Sequence, residues 1–287
     1  MSLLRVVVLG LVQGMAELLP VSSSAHVVVA EKLMHLNPSS PEMTLLLVML
    51  HTGTMLAVIV YFWKRWKATL AREQGSFGRF VLFLAVATII TGAVGEALIK
   101  LIERVWFRDT PQAEVEQLFS HLELIAPALA LVGVLIIVAG VVRRSPSKSA
   151  DAGGLDVKRA GLIGAVQGVC LPFRGFSRSG ATISTAMLTG IEKVHAEEFS
   201  FALAVILTPP VVLREVLRLL KAEHASPVSD LAWAVGISLF GALCAFIAGL
   251  VALKWLSRWL EAGRWYWFGI YCLLASAVVA GMHHAGY

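Results

Sequence analysis

Six stretches of the chain, about 43–63, 80–99, 122–142, 199–219, 230–253 and 265–284, are long and apolar enough to cross a bilayer. A spanning helix needs ~20 mostly apolar residues. Trp63, Trp66, Trp106, Trp233, Trp255, Trp259, Trp265 and Trp267 mostly lie near the ends of these stretches, where an aromatic belt meets the headgroups. Two further regions, 3–35 and 160–190, are apolar but interrupted: a short apolar run, a polar turn, then a second short run. Such runs are too short to span and too apolar for surface loops. They predict re-entrant helical hairpins, because irregular backbone at membrane depth survives only where protein or a water-filled cavity satisfies it.

The connecting segments divide by charge. Lys64, Arg65, Lys67, Arg72 and Arg79 lie between the first two stretches, Arg143, Arg144, Lys148, Lys158 and Arg159 follow the third, and Lys254, Arg258 and Arg264 separate the last two. By contrast, 100–121 carries Glu103, Asp109, Glu114 and Glu116, and 220–230 is nearly balanced. Loops rich in Lys and Arg stay cytoplasmic. The alternation therefore predicts six spans with both termini in the periplasm, the first hairpin entering from outside and the second from the cytoplasm. The hairpins also resemble each other. Gln13-Gly14 precedes Pro20 and the Ser22/Ser24-Ala25 pattern, as Gln167-Gly168 precedes Pro172 and the Ser177/Ser179-Gly180-Ala181 pattern. Similar halves entering from opposite faces make an inverted repeat, about 1–142 and about 160–287, within one integral membrane domain covering 1–287. Such repeats place their sites near the midplane, where broken helices meet. The expected fold class is an all-α polytopic membrane protein.

Composition strengthens this reading. Of 287 residues, 57% are hydrophobic and 15% charged, with a mean hydropathy of +0.77; a soluble chain has about 45–50% apolar and about 25% charged residues. The net charge of +5 gathers in the short loops, so it orients helices rather than binding nucleic acid. Cys170, Cys244 and Cys272 form no CxxC pair and read as small apolar residues. The run Leu3 to Val12 has Arg5 inside it, and Glu17 and Pro20-Val21-Ser22-Ser23-Ser24 stand where a signal cleavage site would be. It is read as mature structure.

Two polar clusters carry the candidate chemistry. The first is Gln13, Glu17, Ser22, Ser23, Ser24 and His26. Gln13 and Glu17 share a helix face, and the serines follow Pro20, where a second helix should begin. Hydroxyls and free N–H groups at a helix start make an anion site. His26, about a turn beyond Ser22 or Ser23, is positioned to exchange a proton, with Glu17 orienting it or holding it charged. A serine after proline is also an ordinary helix cap, and a lone histidine often a satisfied core residue. A carboxylate, an imidazole and three hydroxyls together at membrane depth are costly, however, and mark function. The second cluster is Arg174-Gly175-Phe176-Ser177-Arg178-Ser179-Gly180. Arg178 offers a fork of donors suited to phosphate oxygens, and Gly175 and Gly180 let backbone approach a ligand. Arg174 either joins it or snorkels to the cytoplasmic face. Facing each other, the clusters suit an anionic substrate with an apolar tail, and they hold the nucleophile, proton carrier and cationic group that phosphoryl transfer requires.

At these motifs the chain resembles the undecaprenyl-diphosphate phosphatase family, also called the bacitracin-resistance family. The first signature appears as Gln13-x-x-x-Glu17 followed by Pro20-Val21-Ser22-Ser23-Ser24-Ala25-His26, the second as Gly175-Phe176-Ser177-Arg178-Ser179-Gly180-Ala181-Thr182. The helix pattern agrees along essentially the whole chain. The resemblance implies a multi-pass inner-membrane enzyme that hydrolyses the C55 isoprenyl diphosphate to the monophosphate and phosphate, recycling the cell-wall lipid carrier. It implies Glu17 and His26 as acid/base or metal-site residues, Ser23 as candidate nucleophile and Arg178 as phosphate clamp. Gln13, Ser22, Ser24, Arg174, Gly175, Ser177, Ser179 and Gly180 complete the candidate substrate-binding set. A divalent cation, Mg²⁺ or Ca²⁺, is expected from the family, with Glu17 as its carboxylate ligand, and a homodimer is compatible with it. The chain departs from the pattern in three ways: Arg174 stands where the family usually has proline, the stretch from Gln167 to Gly175 is one residue longer, and Gln13 removes one carboxylate. An inverted repeat of half-helices would equally build a polyprenyl-phosphate transporter or flippase.

Overall fold

The computed structural model describes residues 2–37, 40–71, 76–106, 122–142, 154–225 and 231–285. Ten helices occur among them, without a strand. They are α1 Leu3–Leu18, α2 Ser23–Leu33, α3 Pro41–Ala71, α4 Ser76–Trp106, α5 Leu122–Val141, α6 Val157–Cys170, α7 Arg178–Leu188, α8 Lys193–Ala225, α9 Leu231–Glu261 and α10 Tyr266–His284. The 11 residues of α2 or α7 make a rod of about 16 Å, and the 16 of α1 one of about 24 Å, at 1.5 Å per residue. All fall short of the ~30 Å hydrocarbon layer.

Among the described residues, five helices are long and apolar enough to cross a membrane, on Pro41–Ala68, Phe77–Val105, Leu122–Val141, Ala232–Glu261 and Tyr266–His284. The sixth expected stretch, 199–219, lies inside α8, a continuous helix of 33 residues holding Pro209 and Pro210; its side chains beyond residue 210 are described only in part. The loop charges at Arg72, Asp109, Glu114, Glu116, Arg143, Arg144 and Lys148 lie outside the described residues. Apolar side chains point outward: Ile89 on α4 is 70% exposed, Leu131 on α5 64% and Leu274 on α10 64%. An apolar rim of this kind fits lipid rather than water as the surrounding medium.

Helix pairing repeats along the chain when α1–α5 are matched to α6–α10. The first arm of one hairpin, α1, packs on α9, and its counterpart α6 packs on α4, the counterpart of α9. The mates α3 with α8 and α5 with α10 pack on each other. Small residues permit the close approach, as they usually do at membrane helix contacts. A Cβ on Gly14 would lie 2.6 Å from the Ala245 carbonyl oxygen on α9, and one on Gly168 2.8 Å from the Thr91 carbonyl oxygen on α4. The Gln-Gly pairs of the sequence therefore mark the same seat on two helix pairs. A buried polar tie links α3, α8 and α9: Tyr61 donates to Ser257 (2.9 Å), which donates to Glu197 (2.6 Å), with Arg65 3.8 Å from the same carboxylate.

Candidate functional site

The tips of the two hairpins meet inside the bundle. α1 ends at Leu18, and Pro20-Val21-Ser22 turns the chain before α2 starts at Ser23. Ser22 takes φ 69°, a left-handed conformation that costs a non-glycine residue of order 1–3 kcal/mol and that gathers at functional sites. Although it occupies the N-cap position, its side chain makes no capping bond, so the first-turn N–H groups of α2 are left to what enters the pocket. In the second hairpin Ser177 does cap its helix, accepting from the Gly180 N–H at 3.2 Å. Gly175 has φ +100°, and a Cβ there would sit 2.6 Å from the Ile125 carbonyl oxygen. Conformation and space both demand glycine.

Three polar contacts tie tip to tip. Arg178 Nη2 lies 2.6 Å from Glu17 Oε1. The Gly175 N–H donates to Ser24 Oγ at 3.3 Å, and Ser179 Oγ donates to the Leu19 carbonyl oxygen at 3.3 Å. The other Glu17 oxygen, Oε2, accepts from Ser23 Oγ and from Gln13 Nε2 at 3.4 Å. One carboxylate thus gathers the arginine of one hairpin and the serine and glutamine of the other. Around it lies a polar cavity of about 240 Å³, lined by Glu17, Ser22, Ser23, Ser24, Arg174, Ser177, Arg178 and Ser179, with Leu171, Phe173 and Phe176 as its apolar wall. Arg174 is exposed at this lining, whereas Ser177 and Ser179 are buried. Gly180 packs against Ile136 on α5.

His26 is placed elsewhere. Its Nδ1 donates to the Ser22 carbonyl oxygen at 2.8 Å, which turns the ring back along its own helix. Nε2 is 2.7 Å from the Tyr271 hydroxyl, and the two rings stack with centroids 5.6 Å apart. Both face a second, apolar cavity of about 630 Å³ between α1, α9 and α10, whose walls include Leu11, Met15, Trp255, Trp259 and Phe268. Ala16 lines both cavities.

The imidazole in the polar cavity is His51 of α3. Sequence reading passed over it because it lies within an apolar run counted as a span. The missed signal is an ionisable residue inside such a run, beside Thr52 and Thr54.

A hard divalent cation takes about six oxygen ligands. Among the described residues no group of three His, Cys, Asp or Glu side chains converges, and the one carboxylate lining the pocket is engaged at both oxygens. These residues do not fit a divalent cation held by the protein alone, and no catalytic step is assigned to one.

The model of the family described as "Bacitracin resistance protein BacA" matches residues 6–278. The chain belongs to the bacitracin resistance family. Among the similar members, "Undecaprenyl-diphosphatase 2" of Acinetobacter baylyi is 54% identical over 282 residues, covering 97% of each chain. The protein of the same name from Burkholderia ambifaria is 34% identical over 293 residues, 98% of this chain and 97% of its own. "Undecaprenyl-diphosphatase" of Rhodopirellula baltica is 32% identical over 279 residues, again 97% of each. Both signatures and the cavity they line fall within the residues the family model matches.

Proposed function

We propose that this family member is a membrane phosphatase that hydrolyses undecaprenyl diphosphate to undecaprenyl phosphate and inorganic phosphate, returning the lipid carrier to cell-wall synthesis. The observation that carries the reading is the Arg178–Glu17–Ser23 constellation, in which two separate hairpins share one carboxylate over a hydroxyl-lined cavity. The names of the relatives point the same way.

The diphosphate enters the polar cavity and the prenyl chain lies in the adjoining apolar one, the two meeting at Ala16. Ser23 Oγ already donates its proton to Glu17, so the carboxylate serves as its base. The hydroxyl oxygen attacks the terminal phosphorus, the bond from phosphorus to the bridging oxygen breaks, and polyprenyl monophosphate leaves while Glu17 keeps the proton. Arg178 exchanges its hold on Glu17 for the equatorial phosphoryl oxygens, where charge develops. The first-turn N–H groups of α2 and Arg174 at the rim hold the remaining oxygens. Gln13 steadies Glu17, and Ser22, Ser24, Ser177 and Ser179 shape the two tips. Any divalent cation the reaction takes is proposed to arrive chelated to the diphosphate.

The same reading makes the chain a six-span inner-membrane protein with re-entrant hairpins in an inverted repeat and periplasmic termini. The mirrored packing of α1 on α9 and α6 on α4 supports it, as do the basic loops. A membrane-impermeant thiol reagent applied to spheroplasts is expected to label Ser2→Cys and to spare Lys67→Cys. The reverse pattern contradicts the orientation.

A polyprenyl-phosphate transporter on the same repeat is separated by catalysis. Purified protein in detergent is expected to release phosphate from a polyprenyl diphosphate. Absence of release, together with movement of polyprenyl phosphate across liposomes, replaces the phosphatase by the transporter.

A further inference from the structure

A phosphatase with Ser23 as its nucleophile, the reading on which the role of His51 rests, has one step without a base. Once Ser23 is phosphorylated, Glu17 holds the proton it received and cannot take another from the water that must break the ester. His26 does not face this cavity, and Tyr271 and the Ser22 carbonyl occupy its two nitrogens. His51 lines the cavity. Its Nδ1 lies 2.9 Å from the Leu47 carbonyl oxygen. A carbonyl only accepts, so in the neutral ring Nδ1 carries the hydrogen and Nε2 presents a lone pair. His51 shares the cavity lining with Glu17, Ser23 and Arg178.

We infer that His51 is a further catalytic residue, the base that activates water for hydrolysis of a phosphorylated Ser23. Water oxygen bonds to phosphorus and its proton passes to His51 Nε2. The bond from phosphorus to Ser23 Oγ breaks, the proton held by Glu17 returns to that oxygen, and inorganic phosphate leaves. The ionised His51 then loses its proton to solvent through the mouth of the cavity. The two chemical steps thus use two bases, Glu17 for the serine and His51 for the water. The other charged and titratable groups lining the cavity with His51 are Glu17 from α1, Cys170 at the end of α6, and Arg174 and Arg178 from the second hairpin.

The test is rapid quenching of a polyprenyl diphosphate labelled at its terminal phosphate, with wild type and with His51→Gln, in detergent. In the variant the expected result is one equivalent of polyprenyl phosphate released in a burst and label trapped on Ser23. Steady-state phosphate release should fall about 100-fold or more, the range of a lost general base. A variant that releases phosphate within threefold of wild type overturns the assignment. So does equal slowing of both products without trapped label, which makes His51 a positioning residue of the first step. Either result leaves the phosphatase standing, whereas a wild-type protein that cleaves no diphosphate removes both.

Discussion

Replacing Arg178 by alanine is expected to lower phosphate release by about 10³-fold or more, because an arginine that meets the transferring phosphoryl group is worth ~10³–10⁵ in rate. That range corresponds to about 4–7 kcal/mol of transition-state stabilisation. Arg178→Lys keeps the charge and loses the fork, so it should recover only part of the loss. The substitution also strips Glu17 of its cation. Removing one partner of a buried pair costs about 3–5 kcal/mol, and here the lower end applies, because Glu17 keeps its bonds to Ser23 and Gln13 and is 15% exposed. A double variant, Arg178→Ala with Glu17→Gln, isolates the folding cost, since it removes the base of Ser23 together with the clamp. Neutralising the orphaned carboxylate should restore the thermal midpoint while phosphate release stays abolished. Folded Arg178→Ala protein that keeps more than a tenth of wild-type activity contradicts the clamp.

Ser23→Ala is the second large effect. Ser23, whose hydroxyl donates to Glu17, is the proposed nucleophile, so its removal should cost about 10³-fold or more, leaving only what binding and charge stabilisation supply to direct attack by water. Acid-quenched label on the protein should vanish with it. Ser24→Ala makes the contrast. Ser24 Oγ receives the Gly175 N–H and contacts Ser22 Oγ at 3.2 Å, so its proposed part is to hold the tips together, and a loss of about tenfold is expected. Full activity in Ser23→Ala would hand the first step to water.

The membrane character was legible in the chain because lipid demands it: six apolar stretches and two interrupted ones follow from the need to bury every backbone amide in a helix. The two interrupted stretches form pairs of short helices, and α2 and α7, at 11 residues each, are as short as those runs implied. The sequence reading set Arg178 opposite the first hairpin around an anionic substrate, and the structure also gives it a carboxylate partner there. Glu17 is that partner, 161 positions away.

What the chain alone determined was the medium, the helices and the inventory of costly groups, because each follows from local length, polarity and charge. Which groups share a cavity was decided only by the packing of helices on one another. The turn at Ser22 and the bond from His26 to its carbonyl swing that imidazole toward Tyr271 and the apolar groove. The packing of α3 against the bundle brings His51, from a run that reads as plain span, to the cavity that Glu17 also lines. Spacing along one helix specifies its own face but carries no information about the neighbour that face will meet. That information resides in small residues such as Gly14 and Gly168, whose missing side chains set how closely, and therefore where, the helices lie together.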